Sequence, residues 1–491
     1  MNAALQLLFT LSLLLFCSKE VHGHHTHPLS FPHTSSSHGD LDCRKAFAGK
    51  GKASYGGSAH AGLVHPHGPC SPIKELSHLS NDMPKLALEL LKKDQERLEK
   101  HLFKKRLPRD HFIERSLAAS TSTRAREETT SALRFGAGNY IMKVGVGSPR
   151  SDFLLMMDTG SDLSWTQCFP CDSQTTCYPQ ASPIFDPNTS SSYTPISCTT
   201  LLCTMCSSTG NCQYSLFYGD GSSTFGELAK DTFTIGNATI QQYIFGCGHL
   251  SQGTFLGVDG LLGLAWGSLG MPAQTVSFFG GVFAYCLPSI LSSTNTIGFI
   301  EFGAEAISED NNARYSFTPM IHNVYMPSFY FVWLKAISVR GVPLSLDSTP
   351  VFPPSSFDFF GTFVDSGTVI TRLPYTDYVT FRNAFIAESV NITILPTDRD
   401  FFFDTCFRFN DDSLIPTVEF HFDGFDLPLD VENIVYPWDL STNTVCLAFA
   451  PTPSTGGPRL LVIGNYQTPS RLMSFDTLGS RMGIVTSSKM C

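Results

Sequence analysis

The chain reads as an all-β protein of two lobes related by a pseudo-two-fold axis, with few short helices. Three observations carry that reading. From Asn139 onward, apolar runs such as YIMKVGVG, DFLLMMD, YIFGCG, FYFVWLKAISV and LLVIGN are broken by Gly, Pro, Asn and Ser. The breaks come about every ten residues, the spacing of short strands joined by turns. An approximate internal duplication comes second: FLLMMDTGSDLSW at 153–165 matches GTFVDSGTVITRL at 361–373 in kind. In each, apolar residues enter a strand end, followed by Asp, a hydroxylated residue, Gly and another hydroxylated residue. Two apolar residues and a Gly come at a similar distance downstream, Gly263 lying 105 residues after Asp158 and Gly464 lying 99 after Asp365. Third, 40 Phe against 4 Trp and only 15% charged residues suit a β-rich core better than a charged helical bundle.

From the N-terminus, Ala3 to Phe16 form an apolar run of 14 residues. That is too short to cross a bilayer and fits the central region of a secretory signal, so residues 1–23 are expected to be a signal peptide. Residues 24–135 differ from the body of the chain. They hold eleven of the 15 His and carry a net charge of +6, against −16 for residues 136–491, which together give the −10 of the whole chain. A basic segment ahead of an acidic body predicts a prosegment docked by charge. Within it Asn81-Asp82-Met83-Pro84 starts a helix, Leu91, Leu98 and Leu102 recur at near-helical spacing, and Pro108 stops it. Its basic face also admits DNA or membrane binding, and His24, His25 and His27 admit a metal or a His-rich tail. The acidic body argues against a phosphate-neutralising nucleic-acid binder, and with no run of about 20 apolar residues no membrane anchor is expected. The body divides into a first lobe at 136–318 and a second at 319–491. The second contains the best helical stretch, Tyr375 to Val390.

Each lobe thus brings one Asp on a tight Gly turn to the axis. A lone Asp-Thr-Gly is a weak signal, and both Asp residues could merely cap turns. Two related triplets with matching downstream Gly residues point instead to paired carboxylates. Held roughly 3 Å apart, two Asp cannot both ionise and share one proton. One then acts as base on a bridging water while the other acts as acid toward a substrate carbonyl, with no metal or cofactor. Thr159 and Ser366 can brace the turns against each other. Ser161 and Thr368 can hydrogen-bond the carboxylates, and Gly160 and Gly367 let backbone amides approach.

These residues resemble the pepsin-like aspartic endopeptidases. Asp158-Thr-Gly-Ser-Asp-Leu-Ser-Trp165, the hairpin Tyr218-Gly-Asp-Gly-Ser222 and the two apolar-apolar-Gly motifs carry the likeness over residues 139–491. CFPCDSQTTC after Trp165, CGH at Cys247, FAYCLPS at 283–289 and VIGN at 462–465 resemble the plant nepenthesin-like branch. HPHGPCSP and FVDSGTVITRLP look like its subgroup containing the chloroplast nucleoid DNA-binding protease and related apoplastic enzymes. The resemblance implies the bilobal pepsin-like fold and a catalytic pair Asp158 and Asp365. It also implies a flap Tyr218 supported by Trp165, an acidic optimum, synthesis as a zymogen and protein or peptide substrates. A monomer in the secretory pathway, apoplast or vacuole is expected, a plastid being the alternative. The competing functions are an inactive binding or inhibitor protein of the same fold and a plastid nucleoid-associated protease.

Of the 15 Cys, Cys17 lies in the signal and Cys43 and Cys70 in the prosegment, leaving twelve. Cys168-x2-Cys171 and Cys203-x2-Cys206 superficially suggest zinc, but 31 residues separate them and the chain looks secreted. Spacing leaves the connectivity open. The nepenthesin resemblance implies Cys168–Cys171, Cys177–Cys247, Cys198–Cys212, Cys203–Cys206, Cys286–Cys491 and Cys406–Cys446, with no metal. Asn188, Asn237 and Asn391 head glycosylation sequons.

Overall fold

The computed structural model describes residues 140–486 except 172–175, 219–221, 254, 256, 289–296, 308–314, 350–353, 355, 357–359, 397–402 and 453–458, together with four short strands ahead of them. The expected signal run and the basic helix after Pro84 lie outside the described residues.

One strand arrangement occurs twice. In the first lobe Ser151–Asp158 runs parallel to Gly260–Gly263, with Asp158 opposite Gly263, and Trp165–Gln167 lies antiparallel to the same strand. In the second, Phe360–Asp365 runs parallel to Arg459–Gly464, with Asp365 opposite Gly464, and Thr371–Leu373 lies antiparallel there through Arg372 and Val462. Trp165–Gln167 then pairs in parallel with Gly246–Gly248, as Thr371–Leu373 does with Phe449–Pro451. The duplication read in the sequence is therefore a duplication of topology.

Ser151–Asp158 in the first lobe and Arg459–Gly464 in the second carry unbroken apolar runs because both of their faces are covered. Successive side chains of a strand point to opposite faces. Phe153, Leu155 and Met157 accordingly enter the main core, while Leu154 and Met156 enter a second cluster with Trp165 and Tyr218. The second lobe repeats the pattern: Leu461 and Ile463 face the main core, Leu460 and Val462 a separate cluster with Phe331 and Phe363.

A shared sheet joins the lobes. Val282–Cys286 of the first pairs antiparallel with Leu472–Asp476 of the second, flanked by Ile297–Phe302 on one side and Arg481–Ile484 and Ser316–Ile321 on the other. The main core runs through both lobes, from Tyr140 to Ile484. The segment before the body also contributes strands. Arg124–Thr130 pairs antiparallel with Ile297–Phe302, Gly62–Val64 lies between Glu128–Thr130 and Ile141–Met142, and Thr26–Pro28 pairs with Leu414–Pro416. The expected helix of the second lobe spans Tyr375–Glu388, with Phe381 and Phe385 buried.

The disulfides correct the pairing that the family resemblance implied. The bonds are Cys168–Cys247, Cys171–Cys177, Cys198–Cys206 and Cys203–Cys212, in place of Cys168–Cys171, Cys177–Cys247, Cys198–Cys212 and Cys203–Cys206. Strand register is the reason for the first exchange. Trp165–Gln167 lies alongside Gly246–Gly248, which brings Cys168 and Cys247 to a Cα separation of 5.3 Å, within bridging distance. Cys171 and Cys177 then close the short loop between them at 5.8 Å. Cys406–Cys446 forms between directly opposed strand residues. Cys286 is disulfide-bonded as well, and its expected partner Cys491 lies outside the described residues.

Candidate active site

Each Asp sits where a buried strand gives way to a turn, Asp158 at 1% exposure and Asp365 at 3%. The turns hold their carboxylates in matching ways. Asp158 Oδ1 accepts the Gly160 amide at 2.9 Å and its Oδ2 accepts the Ser161 hydroxyl. Asp365 Oδ1 accepts the Gly367 amide at 2.8 Å and its Oδ2 accepts the Thr368 hydroxyl at 2.7 Å. Each carboxylate is thus aimed by one backbone and one hydroxyl donor from its own turn.

The turns also grip each other. The Thr159 amide donates to Ser366 Oγ at 3.1 Å, and the Ser366 amide donates to Thr159 Oγ1 at 2.8 Å. This reciprocal pair, 207 residues apart in sequence, obeys the two-fold relation and places the two Asp turns face to face. Ser161 and Thr368, read as carboxylate supports, and Thr159 and Ser366, read as braces, all occupy those positions.

The downstream Gly residues are where a side chain will not fit. A Cβ on Gly263 would stand 2.1 Å from the Asp162 carbonyl oxygen, and one on Gly464 would stand 2.5 Å from that of Val369. Both obstacles are backbone, so neither position can yield. The Gly263 amide donates to Ser164 Oγ at 3.0 Å, and the Gly464 amide donates to Thr371 Oγ1 at 3.2 Å.

Trp165 and Tyr218 are in direct contact. Trp165 Nε1 donates to Tyr218 Oη at 2.6 Å, and both rings pack edge-on against Phe255, at 5.0 and 5.9 Å between centroids. Tyr218 comes directly after the strand Cys212–Phe217, which pairs with Ser223–Ile235 to make the hairpin; residues 219–221 of its turn lie outside the described residues.

Asp259 is a residue that the motifs did not reveal. Fully buried beside Gly260, it accepts the Leu154 amide at 2.6 Å, the Ser182 amide at 2.9 Å and the Ser182 hydroxyl at 2.6 Å, tying the segment that follows the Cys-rich insertion to the strand Ser151–Asp158. Burial raises its carboxyl above the ordinary value, and these hydrogen bonds pull the other way. Arg372 is another. It takes in the second lobe the register position of Trp165 and is fully buried. Asn188, Asn237 and Asn391 are all exposed, as glycan attachment requires. No helix among the described residues is long and apolar enough to cross a membrane.

Models of two families match the chain: "Xylanase inhibitor N-terminal" over residues 140–304 and "Xylanase inhibitor C-terminal" over 329–486. Aspartyl protease AED1 of Arabidopsis thaliana is 38% identical over 86% of this chain and 84% of its own length. Aspartic proteinase nepenthesin-1 of Nepenthes gracilis is 35% identical over 70% of this chain and 76% of its own. Among solved structures, basic 7S globulin from soybean has the same fold, with a TM-score of 0.56 at 20% identity over 72% of this chain and 94% of that one.

Proposed function

The chain belongs to the plant, nepenthesin-like branch of the pepsin-like aspartic proteases, and we propose that Asp158 and Asp365 are its catalytic pair. It is an aspartic endopeptidase, and its substrates are proteins or peptides. The observation that carries the assignment is the reciprocal grip of Thr159 and Ser366, with each carboxylate aimed by an equivalent amide and hydroxyl. Two carboxylates so opposed share one proton. The ionised one removes a proton from a water held between them as that water's oxygen attacks the peptide carbonyl carbon. The protonated one gives its proton to the carbonyl oxygen. The tetrahedral species then collapses, the C–N bond breaking as the amine leaves with a proton returned by the pair. The pair titrates as a unit, so base and acid are not assigned separately. Because one proton must be retained, activity belongs to acidic pH. Tyr218, held by Trp165, closes over the substrate and excludes water.

Synthesis as a zymogen is part of this reading. Residues 24–135 are basic against an acidic body, and their strands at Gly62–Val64 and Arg124–Thr130 add to the body's sheet. Latency at neutral pH and self-cleavage on acidification are expected, as the body's carboxylates lose charge near pH 4. Disulfides in both lobes support an oxidising secretory compartment. An inactive inhibitor-like role is the second reading, favoured by the description of the family models; both Asp turns being intact weighs against it.

Purified precursor incubated across a pH series, with and without pepstatin, tests the proposal. Acid-dependent, pepstatin-sensitive processing and peptide cleavage are expected, both lost in Asp158→Asn and Asp365→Asn. Turnover retained by either folded variant would sink the assignment of the pair. Processing unaffected by pepstatin and by Asp158→Asn would mean that another protease removes the segment.

A further inference from the structure

The two Asp turns are alike except at one position. Four residues after its Asp the first lobe has Asp162, where the second has Val369. Asp162 Oδ1 accepts the Gly267 amide at 2.8 Å, and its Oδ2 accepts the hydroxyl of Ser328. The fit is close: a Cβ on Gly267 would stand 2.3 Å from that carboxylate. Ser328 belongs to the other side of the molecule. Two residues further on, Tyr330 begins a strand in which it lies opposite Val364, the residue before Asp365.

The same segment is tied to the first lobe at two more points. The Trp266 amide donates to the Ser328 carbonyl at 2.8 Å, and Tyr330 Oη donates to the Leu264 carbonyl at 2.6 Å. The Trp266 and Tyr330 rings stack at 6.0 Å. Leu264 and Ala265 in turn give their amides to the carbonyls of Asp158 and Ser161, at 2.9 and 3.0 Å. A continuous strap therefore runs from the Asp158 turn through Asp162 and Ser328 to Tyr330, Val364 and Asp365.

We propose that Asp162 is a positioning residue. Through Ser328 it sets the spacing of the two carboxylates, as a second tether beside the Thr159–Ser366 grip. The proposal rests on Asp158 and Asp365 being the catalytic pair. A hydroxyl donating to an ionised carboxylate is among the stronger neutral-to-charged hydrogen bonds, and reacting groups displaced by a fraction of an ångström lose rate rather than ground-state affinity. The side chain of the second lobe's Val369 carries no acceptor, so the tether is one-sided and does not arise from the duplication.

The test compares wild type, Ser328→Ala, Ser328→Thr, Asp162→Val and the double variant Asp162→Val/Ser328→Ala as mature enzyme. Peptide turnover and amide hydrogen exchange at Thr159 and Ser366 are both measured. In Ser328→Ala, kcat should fall roughly tenfold or more with KM within about twofold, and both amides should exchange several-fold faster. Ser328→Thr, which keeps the hydroxyl, should restore both readouts. The double variant should be no worse than Asp162→Val alone, because the two residues act through one bond. Unchanged kcat and exchange in a folded Ser328→Ala, no rescue by Ser328→Thr, or additive losses would overturn the proposal. Should Asp162→Val fail to fold, the two Ser328 variants decide it. If wild type itself turns over no peptide, the reading of the catalytic pair has failed, and the exchange rates still judge the tether.

Discussion

Replacing Thr159 by Val tests the grip between the lobes with the least change of shape. The methyl that replaces Oγ1 keeps the volume but cannot accept the Ser366 amide, now bound at 2.8 Å. Ser366 is 2% exposed, so water does not readily take the vacated place. A buried donor left without its acceptor costs about 1–3 kcal/mol. The opposite bond, from the Thr159 amide to Ser366 Oγ, is longer at 3.1 Å, so Ser366→Ala should fall toward the lower end of the same range. Urea unfolding of the mature variants measures this as a lower midpoint at unchanged slope. Because the lost bond lies between the two Asp turns, kcat should fall by roughly tenfold or more, the effect of a small misplacement at the reacting atoms. Thr159→Ser keeps the acceptor and should keep most of both. Wild-type stability and turnover in Thr159→Val would refute the reasoning, since the hydroxyl would then be shown to carry neither the contact nor the geometry.

Three further outcomes are expected. Peptide mapping of the non-reduced protein should recover Cys168 linked to Cys247 and Cys171 to Cys177; a Cys168–Cys171 fragment would overturn that register. Asp259 has a folded pKa raised above its unfolded value, so the folded state takes up its proton at higher pH than the unfolded one, and ionised Asp259 costs stability. That cost is relieved as pH falls through the raised pKa toward about 4. The stability advantage of wild type over Asp259→Asn, read from urea midpoints, should therefore grow between about pH 7 and pH 4, and a constant or shrinking advantage would contradict it. N-terminal sequencing of the mature enzyme should find its start before Arg124, so that the cut falls inside residues 24–135 and the Arg124–Thr130 strand at the end of that segment stays with the body. Loss of the Arg124–Thr130 strand would leave the apolar strand Ile297–Phe302 with an unpaired edge, and a mature start within or after that strand would show that the sheet tolerates the loss.

The legible part of the site was the part written in local backbone chemistry. Asp158 and Asp365, their flanking Gly and hydroxylated residues, and Gly263 and Gly464 sit in turns and close approaches that only a few residue types allow. Their pattern therefore survives in the sequence and repeats with the topology. Trp165 and Tyr218 were found by resemblance to the family, and the structure adds the bond between them. The helix beginning at Tyr375 showed in the local pattern too, ending two residues earlier than read, at Glu388.

What stayed hidden depended on which distant segments lie side by side. The sheet joining the lobes pairs Val282–Cys286 with Leu472–Asp476, and neither strand carries a mark of its partner. The disulfide exchange has the same origin, since Cys168 finds Cys247 only once Trp165–Gln167 has docked beside Gly246–Gly248. Asp259 looks like an ordinary turn residue until Leu154 and Ser182 converge on it from 105 and 77 residues away. Asp162 looks like a solvated neighbour of the Asp-Thr-Gly turn until Ser328 arrives from 166 residues away. Two Asp turns of matching chemistry can be read along the chain, because each turn's hydrogen bonds close within three residues of its own Asp. How those turns are held against each other emerges in the folded molecule alone, because those bonds join backbone and side chains 207 residues apart that strand register brings together.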